Sequence, residues 1–109
     1  MDALARFFDE GVVWHTPGEH PLARTYQGRA ATFASFAEEI EQSGGTYSVE
    51  VRDVLADDQH IVALLHATAN REDKRLDQDY VIVFGVRDGK VHAAWEIWRD
   101  QVSVDEFWS

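Results

Sequence analysis

The strongest constraint on this chain is a pair of long apolar runs, residues 80–86 and 91–98, joined by Arg87-Asp88-Gly89-Lys90. Asp-Gly between apolar runs predicts a β-hairpin, because a type I′ turn needs positive φ at both central residues. A two-residue turn places Val86 opposite Val91, Val83 opposite Ala94, Val81 opposite Glu96 and Asp79 opposite Trp98. Opposed residues share a face. One face then carries Asp79, Val81, Val83, Ala94, Glu96, Trp98 and Asp100, and the other Tyr80, Ile82, Phe84, Ala93, Trp95 and Ile97. Both are substantially apolar, so both are expected to be covered, one by helices and a cavity, the other by a second subunit or protein surface.

The remaining elements follow from periodicity and punctuation. Leu4, Phe7 and Phe8 predict a short amphipathic helix over residues 2–9, stopped at Gly11. Residues 12–15 form a β-prone run closed by Thr16-Pro17-Gly18, a turn signal. Residues 29–43 are the clearest helix, with Phe33, Phe36, Ala37 and Ile40 as its core stripe and Glu38, Glu39 and Glu41 off it. Strands are expected over 46–55, 61–70, 76–86 and 91–101, with connections short enough for an antiparallel meander. Ser103 and Glu106 form a capping box, with Val102 and Phe107 as its staple, so a helical turn closes the chain. The order of elements predicts an α+β fold, with helices packed on one face of a curved antiparallel sheet.

At 109 residues the chain reads as one domain, 1–109. Its net charge of −10, with no basic stripe, excludes a nucleic-acid partner. There is no cysteine, hence no thiol chemistry, and no apolar run near the ~20 residues that span a bilayer. The first residues lack the basic start and apolar core of a secretion signal, and the expected location is the cytoplasm.

Carboxylates on a covered face are costly unless paired or partly wet, a condition that a pocket meets. Trp14, Asp79, Val81, Val83, Glu96 and Trp98 are therefore the expected pocket lining, with Asp79 and Asp100 open to a second reading as ordinary exposed strand ends. His15 ends a strand before the Pro-Gly turn, and His66 lies mid-strand in an apolar setting. A neutral histidine beside a carboxylate is a suitable general base near neutral pH. His15, His66 and Asp100 are the catalytic candidates, and an inert core or rim histidine is the alternative for each. His20, His60 and His92 sit in or beside turns and read as solvent-facing. No spacing of ligands suggests a metal, and no glycine-rich loop or nucleophile elbow suggests a cofactor or an acyl-enzyme.

Taken with residues 12–18, Tyr26-Gln27-Gly28-Arg29, residues 86–91 and 95–100, and Asp105-Glu106-Phe107-Trp108, the pattern resembles the SnoaL-like group of the nuclear transport factor 2-like superfamily, which includes ketosteroid isomerases and limonene epoxide hydrolase. The resemblance implies a cone-shaped antiparallel sheet closed by helices around a deep apolar pocket, and a homodimer through the outer sheet face. It sets His15 where ketosteroid isomerases carry their base. It sets His66 and Asp100 like two acids of the epoxide hydrolase, whose arginine position holds Leu64 instead. It also implies an N-terminal helix longer than the one found here. Three functions fit such a container: a cofactor-independent isomerase or polyketide-cyclase-like enzyme using His/Asp acid–base chemistry on a small apolar molecule; a non-catalytic carrier of such a ligand; and a dimeric scaffold with a vestigial pocket.

Overall fold

The computed structural model describes residues 5–109. Six strands form one curved sheet: β1 (Phe8–Thr16), β2 (Arg24–Gln27), β3 (Ser48–Ala56), β4 (His60–Arg71), β5 (Lys74–Arg87) and β6 (Lys90–Trp98). Helix α1 (Arg29–Gln42) lies between β2 and β3, and α2 (Gln101–Trp108) follows β6. The order across the sheet is β2-β1-β6-β5-β4-β3. Neighbours are antiparallel except β1 and β6, which run parallel, so the first strand completes the sheet beside the last one. The α+β class and the helix-covered curved sheet are as expected, and the sheet does not close into a barrel.

The predicted helix over 2–9 ends earlier than expected. Ala5 is helical, Arg6 and Phe7 form a turn, and Phe8 and Asp9 already belong to β1; residues 1–4 lie outside the described residues. At Phe8 helical spacing does not outweigh pairing with β6, whose Val91 amide bonds the Phe7 carbonyl.

The Asp88-Gly89 turn forms as expected, with φ of 54° and 75° and Arg87 paired to Lys90. The register then departs from expectation. Val86 faces Val91, but the next pair is Gly85 with Ala93, so His92 is an extra residue on β6. This β-bulge slips the hairpin by one, and a one-residue slip exchanges the faces. Val83 now pairs with Trp95, Ile82 with Glu96, Val81 with Ile97 and Tyr80 with Trp98. Gly85 accommodates the bulge, since a Cβ there would lie 2.9 Å from the His92 ring.

The inner face consequently carries Tyr80, Ile82 and Phe84 from β5 with Ala94, Glu96 and Trp98 from β6. Trp14 joins them opposite Ala94 of the parallel pair. Ala63, Leu65, Ala67 and Ala69 of β4 extend the same buried row. Its small residues let the sheet bend around the rings of Trp14, Phe36 and Tyr80 without overpacking.

Helix α1 meets this face on a stripe different from the apolar one. Thr32, Ser35 and Ser43 are buried, whereas Ile40 is 47% exposed and Ala37 is also exposed. Thr32 and Ser35 satisfy their hydroxyls within the helix, on the carbonyls of Gly28 and Thr32, so both bury cheaply. The stripe at 32, 35, 36, 39 and 43 turns Glu39 toward the sheet.

Helix α2 caps one end of the core with Val104, Phe107 and Trp108, all at most 3% exposed. Its N-cap is Asp100, whose side chain accepts from the Ser103 amide and hydroxyl; Ser103 is not the cap. At the other end Arg71 donates to the carbonyls of Phe107 and Ser109, a favourable use of a cation at a helix C-terminus. The 17–22 loop is tied to this helix by Gln101, which donates to Pro17 and Asp105. His20 of that loop is buried, not solvent-facing: its Nδ1 accepts the Leu22 amide, and burial pulls its pKa down. His60 is exposed as expected. No helix among the described residues is long and apolar enough to cross a membrane.

Candidate active site

Between α1 and the inner face lies a cavity of about 240 Å³. Trp14, Phe36, Tyr47 and Tyr80 form aromatic walls, and Glu39 and Glu96 supply its polar groups. Ile40 and Val49 line it too and are 47% and 42% exposed, which places the mouth between the end of α1 and β3.

Glu96 is held by three donors. Trp14 Nε1 and Thr16 Oγ1 donate to Oε2 at 2.7 and 3.3 Å, and Trp98 Nε1 donates to Oε1 at 3.0 Å. Trp98 is itself stacked on Tyr80, with ring centroids 3.9 Å apart and 6° between planes. These contacts fix the carboxylate in one orientation. Burial raises its pKa, and the two indoles and the Thr16 hydroxyl work against that rise.

Glu39 is less well served. Burial pushes its pKa up to about 8, the charge of Glu96 adds to the rise, and only the Tyr47 hydroxyl opposes it. Burial likewise raises Tyr80 and Tyr47, so both phenols stay protonated at neutral pH. The carboxyls therefore form an unlike pair, Glu96 under three donors and Glu39 a neutral acid at neutral pH. Environments that separate two carboxyls in this way assign a base and an acid.

A neutral buried Glu39 has a stability signature. It titrates at its ordinary 4.5 when unfolded and at about 8 when folded. Between these pH values the folded state binds more protons, so stability falls as pH rises. Glu39→Gln is expected to leave the urea midpoint almost unchanged at pH 4.5. At pH 8 it should raise stability by on the order of 1 kcal/mol or more, read by urea titration at both pH values. An equal effect at both would contradict the raised pKa.

Of the residues singled out from the sequence, Trp14 and Glu96 line the cavity, and Trp98 stands behind its wall, stacked on Tyr80 and bonded to Glu96. Asp79, Val81 and Val83 do not line it, because the bulge at His92 places them on the outer face. His15 is on that face as well: it pairs with Trp95 across the β1–β6 register, stacks on its ring at 5.4 Å and meets Thr25 Oγ1 at 3.1 Å. His66 and Asp79 do come together, with Nδ1 2.7 Å from Asp79 and Nε2 2.6 Å from Asp77. Hydrogen bonds to Asp79 and Asp77 raise the His66 pKa. His66 is half-buried and both aspartates are exposed, and Asp79 lines a second pocket of about 510 Å³ with Arg52, Val81, Trp98 and Arg99, which shares Leu65 and Tyr80 with the cavity. Asp100 is spent as the α2 cap, and its bonds to Ser103 lower its pKa.

Glu39, Tyr47 and Tyr80 were not foreseen. Glu39 lies off the apolar stripe of α1, and only the polar series Thr32, Ser35, Glu39 and Ser43 marks the buried side. Tyr80 is displaced from the expected pocket face by the same one-residue slip.

A family model for the SnoaL-like domain matches residues 1–94. The chain belongs to the SnoaL-like family. Its fold agrees: Bal32a, from a soil-derived mobile gene cassette, superposes with a TM-score of 0.96 at 37% identity, over 100% of this chain and 84% of Bal32a. An NTF2-like protein of Burkholderia xenovorans LB400 gives 0.79 at 22% identity, over 99% and 82% of the two chains. A protein of Jannaschia sp. CCS1 carrying the name SnoaL-like polyketide cyclase gives 0.78 at 18%, over 99% and 77%. No curated protein matches the sequence. At these identities the second and third likenesses speak for fold alone.

Proposed function

We propose that this SnoaL-like chain moves a proton on a small, largely apolar, enolisable carbonyl compound, without a cofactor. The observation that carries this reading is the unlike pair of carboxyls in one aromatic cavity, Glu96 under three donors and Glu39 neutral. A carbon α to the carbonyl loses its proton to Glu96, the C–H electron pair becomes the enolate double bond, and the charge moves to the oxygen. Glu39 donates its hydrogen bond to that oxygen. The cavity carries one negative charge before and after, which favours the step in a low-dielectric site. The polyketide-cyclase name borne by the Jannaschia neighbour fits this class of chemistry. The base and acid are then two glutamates, in place of the His15, His66 and Asp100 set. A volume of about 240 Å³ suits one or two rings within the walls.

The test is NMR-detected hydrogen–deuterium exchange of 2-tetralone in D₂O. Exchange is expected to accelerate with protein and to follow a bell in pH. The rise follows the ionisation of Glu96, which burial moves above the usual carboxylate range, and the fall centres near 8, where Glu39 loses its proton. Saturable quenching of tryptophan fluorescence with no exchange would leave a carrier instead.

We also propose that two copies pair through the outer face, where Trp95 and Ile97 are 42% and 56% exposed beside Val81 and Val83. Sedimentation at micromolar concentration should give a dimer that Trp95→Glu dissociates. A monomer in the parent chain overturns this pairing.

A further inference from the structure

We propose that the inner cavity is also a receptor for a small organic cation, an ammonium group on a one-ring body, seated against Glu39 and Glu96 within the aromatic walls. The lining has the composition that recognises such ions. Trp14 and Phe36 meet nearly at right angles, 81° apart with centroids at 4.8 Å, and so bound a corner. Tyr80, backed by Trp98, adds a third wall and Tyr47 a fourth. Ring faces attract a desolvated cation, and quaternary ammonium ions are bound in cages of this kind. No lysine, arginine or histidine lines the cavity among the described residues, so nothing inside competes for the carboxylates. An engineered cavity of about 150 Å³ holds benzene, and about 240 Å³ leaves room for a trimethylammonium group as well.

Charge balance supports the same occupant. With a neutral guest the cavity holds one anion, Glu96, and the proton on Glu39. With a cation the proton leaves to solvent, two carboxylates face one positive charge, and the net charge is again −1. The groups facing Glu39 are Glu96 from β6, Tyr80 from β5, Tyr47 from the segment before β3 and, at longer range, Tyr26 from β2. None is basic, and Tyr47 is the one donor toward Glu39, so an external cation is the partner its ionised form lacks.

The experiment titrates trimethylphenylammonium and its uncharged isostere tert-butylbenzene into the intact chain at pH 6.5 and 9, read by tryptophan fluorescence and calorimetry. The cation carries a fixed charge, so only the protein titrates. Binding that requires ionised Glu39, titrating near 8, should tighten about thirtyfold over this range and release a proton at pH 6.5. The isostere should bind with little dependence on pH. Glu39→Gln should lose the pH dependence and most of the cation affinity, yet still admit tert-butylbenzene, which shows that the cavity is intact. Equal pH dependence for both probes overturns the proposal, as do unchanged cation affinity in Glu39→Gln and failure of both probes to bind. The catalytic reading stands apart: cation binding with no exchange of 2-tetralone removes catalysis alone, and exchange that trimethylphenylammonium does not inhibit removes the cation site alone.

Discussion

Glu96→Gln is expected to lower proton exchange on 2-tetralone by about 10²–10⁴-fold, the range in which a positioned general base acts. The amide keeps the shape of the side chain and loses the basic oxygen. It also changes the hydrogen bonding around it. Trp14 and Thr16 donate to one oxygen and Trp98 to the other, so each oxygen meets an indole N–H, which can only donate. The new NH₂ must therefore face an N–H, and an unpaired buried donor costs about 1–3 kcal/mol. Two losses with different origins follow, and a second variant separates them. Trp98→Phe removes the conflicting indole N–H while retaining a ring against Tyr80. The double variant Trp98→Phe/Glu96→Gln should regain stability over Glu96→Gln alone, with exchange still lost; such a coupling is what a double-mutant cycle measures. Exchange within tenfold of the parent in Glu96→Gln would place the base elsewhere.

The largest effect on stability is expected at Phe107. Its ring is 2% exposed and meets Trp108 edge-on at 4.8 Å. Truncating a buried phenylalanine to alanine costs about 3–5 kcal/mol, against a total of about 5–15 kcal/mol for a domain. Phe107→Ala should thus shift the urea midpoint sharply downward with an unchanged slope. The site should respond too, because Trp108 stacks on Tyr47 at 6.0 Å, and Tyr47 is the donor facing Glu39. Loosening α2 is expected to weaken ligand quenching of Trp14 fluorescence at temperatures where the variant is still folded. A loss below about 1 kcal/mol would mean that α2 rests on the sheet without being part of the core.

Much of the container was legible in the residues. The Asp88-Gly89 turn, the strands on either side of it, the α1 helix, the closing helical turn and the α+β class all rest on local chemistry: positive φ, periodicity, and cap residues. The resemblance to SnoaL-like proteins added the pocket between sheet and helix. Glu96 and Trp98 were singled out because a large ring and a carboxylate on one covered ribbon have few other uses.

The differences in which side chains share the inner face have a cause that local chemistry does not contain. A β-bulge at His92 inserts one residue whose presence is decided by pairing across β5 and β6 together with β1, and it exchanged Val81, Val83 and Asp79 for Tyr80 and Ile82. The angle at which α1 lies on the sheet was set by two hydroxyls small enough for close approach, and it rotated Glu39 inward and Ile40 outward. Asp100 was drawn into capping α2 because an orphan amide stood three residues away. The sequence alone determined which segments are helix and strand, since those preferences are met within a few residues. Only the tertiary structure decided which side chains share the cavity, because a side chain's face depends on register and helix rotation, and both answer to contacts far apart in the chain.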